Sequence, residues 1–372
     1  MVRPNIPFVD LGRQFQSLET ELTAAFLDIG KSGVYIMGEK LELFESQVAA
    51  FCGVKHAIGV GDGSAALFLI LKALGVGPGD EVITATNSFI ASAWVIVAAG
   101  AKPVLVDVCE DLNIDTQKIE SAITKRTKAI IPVHLTGRPA AMDDINAIAD
   151  RYGIKVIEDA AQAIGALYRG RRVGSLGIAA GFSLHPLKNL GVYGDGGVIT
   201  TNDSFLDEKL RLLRNHGLRS RDECEIWGFN SRLDTLQAAF ATIKLAKLDV
   251  WNQRCRGIAS IYRESLGPYV QVPKDEPWEE CAYHNFVIRT PLRDELMLHL
   301  LENGVGSRVH YPIPIHLQPS SVGLGYQLGD FPKSEMYAKT MISLPIFPEL
   351  TDEEVYSVVR VVKSFFENKQ SF

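Results

Sequence analysis

The sequence lacks the features that would place the protein on nucleic acid or in a membrane. It has no run of lysine and arginine, and 38 basic side chains against 44 acidic ones give a net charge of −6. Phosphate backbones attract basic surfaces, so we expect no nucleic-acid partner. No apolar run approaches the ~20 residues that span a bilayer. The opening residues, MVRPNIPFVDLGRQ, hold no apolar stretch long enough for a signal peptide, which predicts a cytoplasmic protein without a membrane partner.

Cysteine is also scarce. The five cysteines are Cys52, Cys109, Cys224, Cys255 and Cys281. They are widely separated, none forms a C-x-x-C pair, and none lies at metal-ligand spacing from a histidine. We therefore expect reduced, mostly buried thiols and no metal site.

What the sequence does contain is typical of a folded α/β protein. Hydrophobic residues make up 47% of the 372 residues and charged residues 22%. Between residues 56 and 201, short β-branched runs alternate with longer helical patterns, and the runs are almost continuously apolar, as in parallel strands buried on both faces. Long amphipathic helices follow residue 230, and a smaller alternation follows them. We predict a large domain at 1–244, including the N-terminal segment, and a small α+β domain at 245–372.

One lysine lies in a setting that is unusual for a charged side chain. In SLHPLKNLGVYGDGGVITT, Lys188 stands between an apolar β-type run and a turn with four glycines. Desolvation in such surroundings lowers the pKa of a lysine toward neutrality and makes it a usable amine nucleophile, above all toward the aldehyde of pyridoxal phosphate (PLP). A surface lysine that caps a turn is the simpler interpretation of this stretch alone.

A second stretch, VIEDAAQ, contains what a PLP site needs besides a lysine. Asp159 ends a buried strand, where ligands of open α/β sheets bind, and its carboxylate would keep the pyridine nitrogen protonated. Gln162 could donate a hydrogen bond to the phenolic oxygen from the same turn. Asp159 could equally be a helix N-cap.

The stretch GVGDGSAALFLIL could hold a phosphate, because Ser64 opens a helix whose free N–H groups attract an anion. Its G-x-G-x-G spacing, with Asp80 and Glu81 following, also leaves a nicotinamide dinucleotide site open, as well as an ordinary turn. In ITATNSFIASA, Phe89 follows the next strand and could stack on a pyridine ring, or belong to the core. A parallel sheet would bring Ser64, Phe89 and Asp159 to one edge.

These motifs together resemble a known family. EDAAQAIGALYRGRRVGSLG, FSLHPLKNLGVYGDGGVITTND, RLLRNHG and GFNSRLDTLQAA are similar to the DegT/DnrJ/StrS sugar aminotransferases, and the likeness extends from IPFVDLGRQ to SLPIFPELTDEEV. The resemblance implies a PLP enzyme of fold type I, the aspartate aminotransferase fold, with a mainly parallel seven-stranded sheet between helices and a smaller C-terminal α+β domain.

The resemblance also implies roles for residues of this chain. Lys188 would form the Schiff base with PLP and carry the proton, Asp159 would bind the pyridine nitrogen and Gln162 the phenolic oxygen. Phe89 would stack on the ring. The phosphate would be held by Gly63, Ser64 and Ser183 and by Asn230 of the neighbouring subunit, so that a homodimer shares its sites. Candidates for contacts with substrate are His185, Arg232, His310 and Tyr311.

The reaction implied is transfer of an amino group from L-glutamate to a nucleotide-linked keto sugar in amino-sugar biosynthesis, for example for lipopolysaccharide. KNLGVYGDGG resembles the branch that acts on 3-oxo sugars, whereas TTGEGG-like turns accompany action on 4-keto sugars. His185 stands where Tyr or Phe is frequent, and Thr136 replaces a frequent Tyr in PVHLTG. Amination at C4, a PLP-dependent sugar dehydratase and a non-catalytic PLP-binding regulator are the alternatives.

Overall fold

A computed structural model of the chain describes residues 5–370; the predicted domain bounds also include residues 1–4 and 371–372, which lie outside the described residues. The α-helices are α1 (Leu11–Ser32), α2 (Glu39–Cys52), α3 (Gly63–Ala73), α4 (Ala91–Ala98), α5 (Thr116–Ala122), α6 (Met142–Tyr152), α7 (Ser204–Arg214), α8 (Thr235–Leu245), α9 (Leu248–Leu266), α10 (Arg293–Glu302), α11 (Pro332–Thr340) and α12 (Asp352–Gln370). Short 3₁₀ turns lie at Leu135–Gly137, Ile315–Leu317 and Pro319–Leu324.

The strands are β1 (His56–Val60), β2 (Glu81–Ala85), β3 (Lys102–Val106), β4 (Thr127–Ile131), β5 (Lys155–Asp159), β6 (Leu167–Tyr168), β7 (Arg171–Arg172), β8 (Ala179–Ser183), β9 (Gly197–Thr201), β10 (Glu279–Glu280), β11 (Phe286–Arg289) and β12 (Met341–Leu344). Seven of them form the central sheet in the order β1-β9-β8-β5-β4-β2-β3. All run in one direction except β9, which pairs antiparallel with both β1 and β8.

Both faces of this sheet are buried, which explains the continuous apolar runs of its strands. Successive residues of one strand belong to different apolar clusters, for example Val82 and Ile83 of β2, or Val198 and Ile199 of β9. Helices α3, α4 and α7 cover one face, and α2, α5, α6 and α8 the other. The predicted seven-stranded, mainly parallel sheet between helices is confirmed.

A separate apolar cluster lies in the C-terminal part of the chain. It joins α9, α10 and α12 to the two-stranded sheet of β11 and β12, and Ile6 from the N-terminal segment also belongs to it. This arrangement is the smaller α+β unit. The boundary at 244/245 falls between α8 and α9 and stays a prediction.

The C-terminal part is tied to the large sheet by Asp107, which follows β3 and is 1% exposed. Its carboxylate accepts hydrogen bonds from the backbone N–H groups of Lys333 (3.1 Å) and Ser334 (2.9 Å) in the first turn of α11. This contact holds the first turn of α11 against the end of β3. Among residues 5–370, no helix is both long and apolar enough to cross a membrane.

A buried ion pair connects α2, α7 and β1. Glu45, 5% exposed, accepts hydrogen bonds from the guanidinium of Arg214, from Arg211 (2.8 Å) and from the backbone N–H of Gly59 (2.8 Å). Arg214, 3% exposed, also donates to the carbonyl of Gly59 (2.8 Å). Removing one partner of such a pair leaves an uncompensated charge in the interior.

We therefore predict that Glu45→Ala lowers the free energy of unfolding by about 3–5 kcal/mol, because Arg214 keeps its charge and loses its carboxylate. Denaturant titration followed by circular dichroism would measure the change. Asp28→Ala is the matched control, since it breaks an exposed ion pair with Lys40 (2.8 Å) and should change stability far less. Equal losses in the two variants would show that Arg214 finds another partner.

Candidate active site

The carboxyl ends of the parallel strands meet at one edge of the large sheet, which we call the carboxyl edge. β1, β2, β5 and β8 all end there, because β1 and β8 are each antiparallel to β9 and so parallel to one another. Ser64, Phe89, Asp159 and Ser183 lie at or just beyond these strand ends. The sheet therefore brings together the residues that the sequence predicted at one edge.

Lys188 lies on the loop that joins β8 to β9, and both ends of this loop start from the carboxyl edge because β9 is reversed. Protein atoms crowd the ammonium, and this desolvation lowers the pKa of Lys188 to about 8. The negative charge of Asp159 acts in the opposite direction and raises it. The amine is thus partly neutral near physiological pH, as the sequence predicted for a nucleophilic lysine.

Asp159 is 5% exposed at the end of β5. Its Oδ2 accepts a hydrogen bond from Oγ of Ser92 (2.7 Å) and its Oδ1 one from the backbone N–H of Ala161 (3.3 Å). Burial raises the pKa of Asp159, while these hydrogen bonds and the charge of Lys188 lower it. The carboxylate is held in a fixed orientation beside a lysine.

Both the oxygen and the nitrogen of the Gln162 side-chain amide are hydrogen-bonded. Oε1 accepts a hydrogen bond from the backbone N–H of Thr136 (2.7 Å), and Nε2 donates one to the hydroxyl of Tyr311 (3.2 Å). Burial raises the pKa of Tyr311 to about 12, so that hydroxyl is neutral. The second N–H of Gln162 stays available for an acceptor at the edge.

Phe89 is an aromatic ring left uncovered at this edge. It is 55% exposed, and its ring centroid lies 5.9 Å from that of Tyr311 at an interplanar angle of 46°. An exposed phenylalanine at the edge where β5 ends offers a flat apolar face for a bound ring.

The amino end of α3 forms a narrow cradle against β8. A Cβ atom added at Gly63 would lie 2.7 Å from Cβ of Ser183, so only glycine allows this approach. Asp62 caps the helix by accepting from the N–H of Ala65 (2.8 Å). The first N–H groups of α3 and Ser64 therefore lie against Ser183 at the carboxyl edge, and free N–H groups at the start of a helix suit an anion.

Asn230 and Arg232 lie beside this cradle but outside the group around the lysine. Asn230 is exposed in an isolated bridge with Asn215, and Arg232 donates to Oδ1 of Asn215 (3.1 Å). Within residues 5–370, no hydrogen bond or ion pair joins either residue to Lys188 or Asp159. A single chain does not bring these two candidates to the lysine.

The two candidate histidines differ in surroundings. His185 is exposed and its Nδ1 accepts from the N–H of Leu187 (3.3 Å). His310 is bonded through Nδ1 to Oγ of Ser343 (2.9 Å). Burial, together with the charges of Lys188 and Arg308, lowers the pKa of His310 to about 4, so its ring is neutral at neutral pH.

Several residues of this region carry no signal in the sequence that would mark them. Ser92 is present in the ITATNSFIASA stretch, but nothing in its spacing marks it as the partner of Asp159. His284 comes from a distant segment; burial and the nearby charge of Lys188 hold its pKa well below the usual value. Only the folded chain brings these residues to the edge.

A third feature that was missed lies behind Asp159. His134 and Glu158 are fully buried, with Nε2 and Oε2 3.1 Å apart. Nδ1 of His134 accepts from the N–H of Ala140, so the proton is on Nε2 and donates to Glu158. Glu158 also accepts from backbone N–H groups at Gly174, Leu176 and Gly177 (2.7–2.9 Å). This network fixes the end of β5 from below.

The dinucleotide alternative does not fit the fold. A ribose-binding acid would lie at the carboxyl end of its strand. Glu81 is instead the first residue of β2, at the opposite edge, where it pairs with Arg126 (2.6 Å), and Asp80 accepts from the N–H of Gly77 (3.1 Å). Neither carboxylate reaches the glycine-rich turn.

PLP, by contrast, fits the residues that are present. The amino end of α3 has free backbone N–H groups and the hydroxyl of Ser64 as donors for its phosphate, Asp159 presents a buried carboxylate for the ring nitrogen, and Phe89 leaves one face uncovered for the ring. Lys188 provides an amine that is partly neutral near pH 8. These are the groups that a PLP site requires.

Comparison with known proteins gives the same answer. The DegT/DnrJ/EryC1/StrS aminotransferase family matches residues 16–363. A dTDP-3-amino-3,4,6-trideoxy-alpha-D-glucose transaminase of Streptomyces venezuelae is 44% identical over 367 residues, 98% of this chain and 97% of the relative. A protein of Geobacillus stearothermophilus named "pleiotropic regulatory protein" is 46% identical over 367 residues, 97% and 99% of the two chains.

A solved structure, S. venezuelae DesV in complex with a ketimine intermediate, superposes with a TM-score of 0.96 at 44% identity, covering 98% of this chain and 99% of that one. This likeness confirms the predicted fold class. The match over nearly the whole length, taken with a carboxyl edge that presents a lysine, a carboxylate and a phosphate cradle, shows that this chain is a PLP-dependent aminotransferase and belongs to the DegT/DnrJ/EryC1/StrS aminotransferase family.

Proposed function

We propose that this protein transfers the amino group of L-glutamate to the C3 carbonyl of a nucleotide-linked 3-oxo hexose in amino-sugar biosynthesis. The observation that carries the proposal is Lys188, an amine with a pKa of about 8 that shares the carboxyl edge with Asp159. The similarity to a 3-amino sugar transaminase supports action at C3, as does the KNLGVYGDGG turn.

PLP, when bound, carries the amino group from donor to acceptor and withdraws electrons from the carbon that loses its proton. Nζ of Lys188 would take that proton from Cα of glutamate and pass it to the cofactor. In the second half of the reaction it would take a proton back from the cofactor and deliver it to C3 of the sugar. A lysine with an ordinary pKa would stay protonated and could not act as a base at neutral pH.

The other residues bind and orient. Asp159 holds a negative charge against the ring nitrogen, and Gln162 donates its free N–H to the phenolic oxygen. Gly63, Ser64 and Ser183 bind the phosphate. His185, His310 and Tyr311 border the space above Lys188, where glutamate and the sugar bind in turn.

The site is shared within a homodimer, in which Asn230 binds the cofactor phosphate of the partner and Arg232 lies at the subunit contact. Exposed apolar side chains around the carboxyl edge support this arrangement: Tyr35 is 57% exposed, Trp94 53% and Trp227 94%. Patches of this kind mark surfaces that other chains cover.

A cytoplasmic location agrees with five cysteines that all remain thiols, and a lipopolysaccharide pathway stays a prediction.

The first test uses the visible absorption band of PLP bound to a lysine. The wild-type protein should show this band and lose it on addition of L-glutamate alone, and reduction with borohydride should place the cofactor's mass on Lys188. Lys188→Ala should abolish both the band and turnover while PLP still binds non-covalently.

Lys244 is a matched control in this experiment. Burial also lowers its pKa to about 8, but its Nζ donates to Gln14 (2.8 Å) and to the carbonyl of Gly191 (2.7 Å). Cofactor mass on Lys244 would refute the assignment of Lys188. A protein that binds PLP but shows no half-reaction with any amino acid would support the regulatory alternative.

Asp159→Asn should have two opposite effects. Without the carboxylate charge, the pKa of Lys188 falls below 8, so more of the amine is neutral at a given pH. Turnover should nevertheless fall by about a hundredfold or more, because the protonated ring nitrogen loses its partner.

Acylation of the PLP-free protein across a pH series, with the modified lysine identified by mass spectrometry, would measure the first effect. The midpoint for Lys188 should lie near pH 8 in the wild type and lower in the variant. A variant with wild-type turnover would show that another residue binds the ring nitrogen.

A mixing experiment tests the shared site. Lys188→Ala and Asn230→Ala proteins are each expected to be defective, because either change affects every site of a homodimer. After mixing and subunit exchange, half of the dimers are mixed, and each has one site with both residues intact. We expect recovery to about one quarter of wild-type activity.

The control for this experiment is a mixture of Lys188→Ala with Asp159→Asn, two residues of the same chain, which should recover no activity. Recovery in both mixtures, or in neither, would show that Asn230 does not contribute to the partner's site. The position of amination is a separate measurement: the product's nuclear magnetic resonance spectrum places nitrogen at C3 or, for the alternative substrate, at C4.

A further inference from the structure

Asp159 receives its side-chain hydrogen bond from a residue that no part of the proposed reaction uses. Ser92, in the first turn of α4, donates from Oγ to Oδ2 of Asp159 at 2.7 Å. A second serine, Ser88, lies 2.7 Å from Oγ of Ser92. Ser92 is 1% exposed and Ser88 5%, so both hydroxyls are shielded from water.

The chemistry of hydroxyl groups fixes the direction of this chain. Each serine has one proton to donate. An ionised Asp159 can only accept, so Ser92 gives its proton to Asp159 and must accept the proton of Ser88. The two serines thus form a one-way relay that ends on the carboxylate, and it favours the ionised form of Asp159, because a charged oxygen is the stronger acceptor.

We propose that Ser92 is a positioning residue that keeps Asp159 ionised and turned toward the ring nitrogen of PLP, with Ser88 strengthening that hydrogen bond from behind. The proposal rests on the proposed function, since it assigns Asp159 to the ring nitrogen. It adds a residue that acts on the cofactor only through Asp159.

The other groups around Asp159 make this hydrogen bond necessary. Lys188 faces it from the β8–β9 loop, His134 lies on the turn after β4, and Tyr311 approaches with a neutral hydroxyl. Lys188 loses its charge as its pKa of about 8 is passed, and His134 is bonded to Glu158. Ser92 and the N–H of Ala161 are the neighbours whose stabilisation of the carboxylate does not depend on pH.

The relay also connects the two sides of the ring site. Ser88 is next to Phe89, the exposed ring at the same edge, and Ser92 lies three residues beyond it. The turn that presents Phe89 is thereby bonded to the end of β5 through two hydroxyls. The stacking face and the carboxylate keep one relative position, as binding of a flat ring between them requires.

The test is the dissociation constant of PLP measured from pH 5 to pH 9 by equilibrium dialysis, with Ser92→Ala and Ser88→Ala against wild type. A hydrogen bond to a charged group is worth about one to two pH units in the pKa of that group. In Ser92→Ala, the pH below which PLP binding weakens should therefore rise by about one unit or more. Below that pH, binding should be about tenfold weaker than in the wild type at the same pH.

Ser88→Ala is the matched control, because it removes a buried hydroxyl of the same size and leaves the direct bond from Ser92 to Asp159. The pH below which PLP binding weakens, called the acid limb here, should rise by less than half as much in Ser88→Ala as in Ser92→Ala. Thermal unfolding of the PLP-free proteins gives the structural readout, since a role in packing alone would lower stability in both variants without moving the acid limb in either.

The outcomes separate this proposal from the proposed function. A wild-type protein that binds PLP and reacts with glutamate, together with a Ser92→Ala acid limb that does not move, would overturn the role of Ser92 alone. Equal shifts in Ser92→Ala and Ser88→Ala would also overturn it. Failure of the wild-type protein to bind PLP at all would overturn both proposals.

Discussion

The whole site depends on two ionisable groups of opposite charge that share a space with little water. Burial alone would neutralise both, because it lowers the pKa of Lys188 and raises that of Asp159. The charge of Asp159 raises the pKa of Lys188, and the charge of Lys188 lowers the pKa of Asp159, so each partly offsets the effect of burial on the other. The result is a lysine with a pKa of about 8, which loses its proton far more easily than a lysine in water, beside an acid whose pKa is raised by burial and held down by the charge of Lys188.

The fold creates this space through the direction of its strands. Six parallel strands end at one edge, and their two buried faces leave that edge as the place where polar groups can gather. Backbone N–H groups, the hydroxyls of Ser64 and Ser183 and the network behind β5 then satisfy the groups that the apolar interior would penalise. Burial of both faces stabilises the sheet, and the site uses the one edge that this burial leaves open.

Much of this arrangement could be predicted from sequence, for a local reason. Lys188, Asp159 and Phe89 each follow a recognisable strand, and the edge rule places strand ends together without any knowledge of distances. The same rule shows why the dinucleotide alternative was wrong: Glu81 begins its strand and so lies at the far edge.

The sequence could not supply partners that depend on packing. Ser92 meets Asp159 across 67 positions, and His284 reaches Lys188 from another part of the fold. Asn230 was predicted to act on a second chain, which one chain does not contain, and Arg232, predicted to contact the substrate, is bonded to Asn215.

The single reversed strand has a consequence for how such a protein can diverge. Because β9 runs against its neighbours, the loop that bears Lys188 leaves the sheet and returns to it at the same edge, with β8 and β9 paired along five residues. The loop behaves as a module with a fixed base. Within the loop, the exposed side chains of His185 and Leu187 can change in chemistry without shifting the register of any strand. Leu190 and Val192, by contrast, are buried in the core, and the carbonyl of Gly191 accepts from Lys244. Changes that admit a different acceptor are therefore confined to the exposed first part of this loop, while its second part belongs to the core that stabilises the fold.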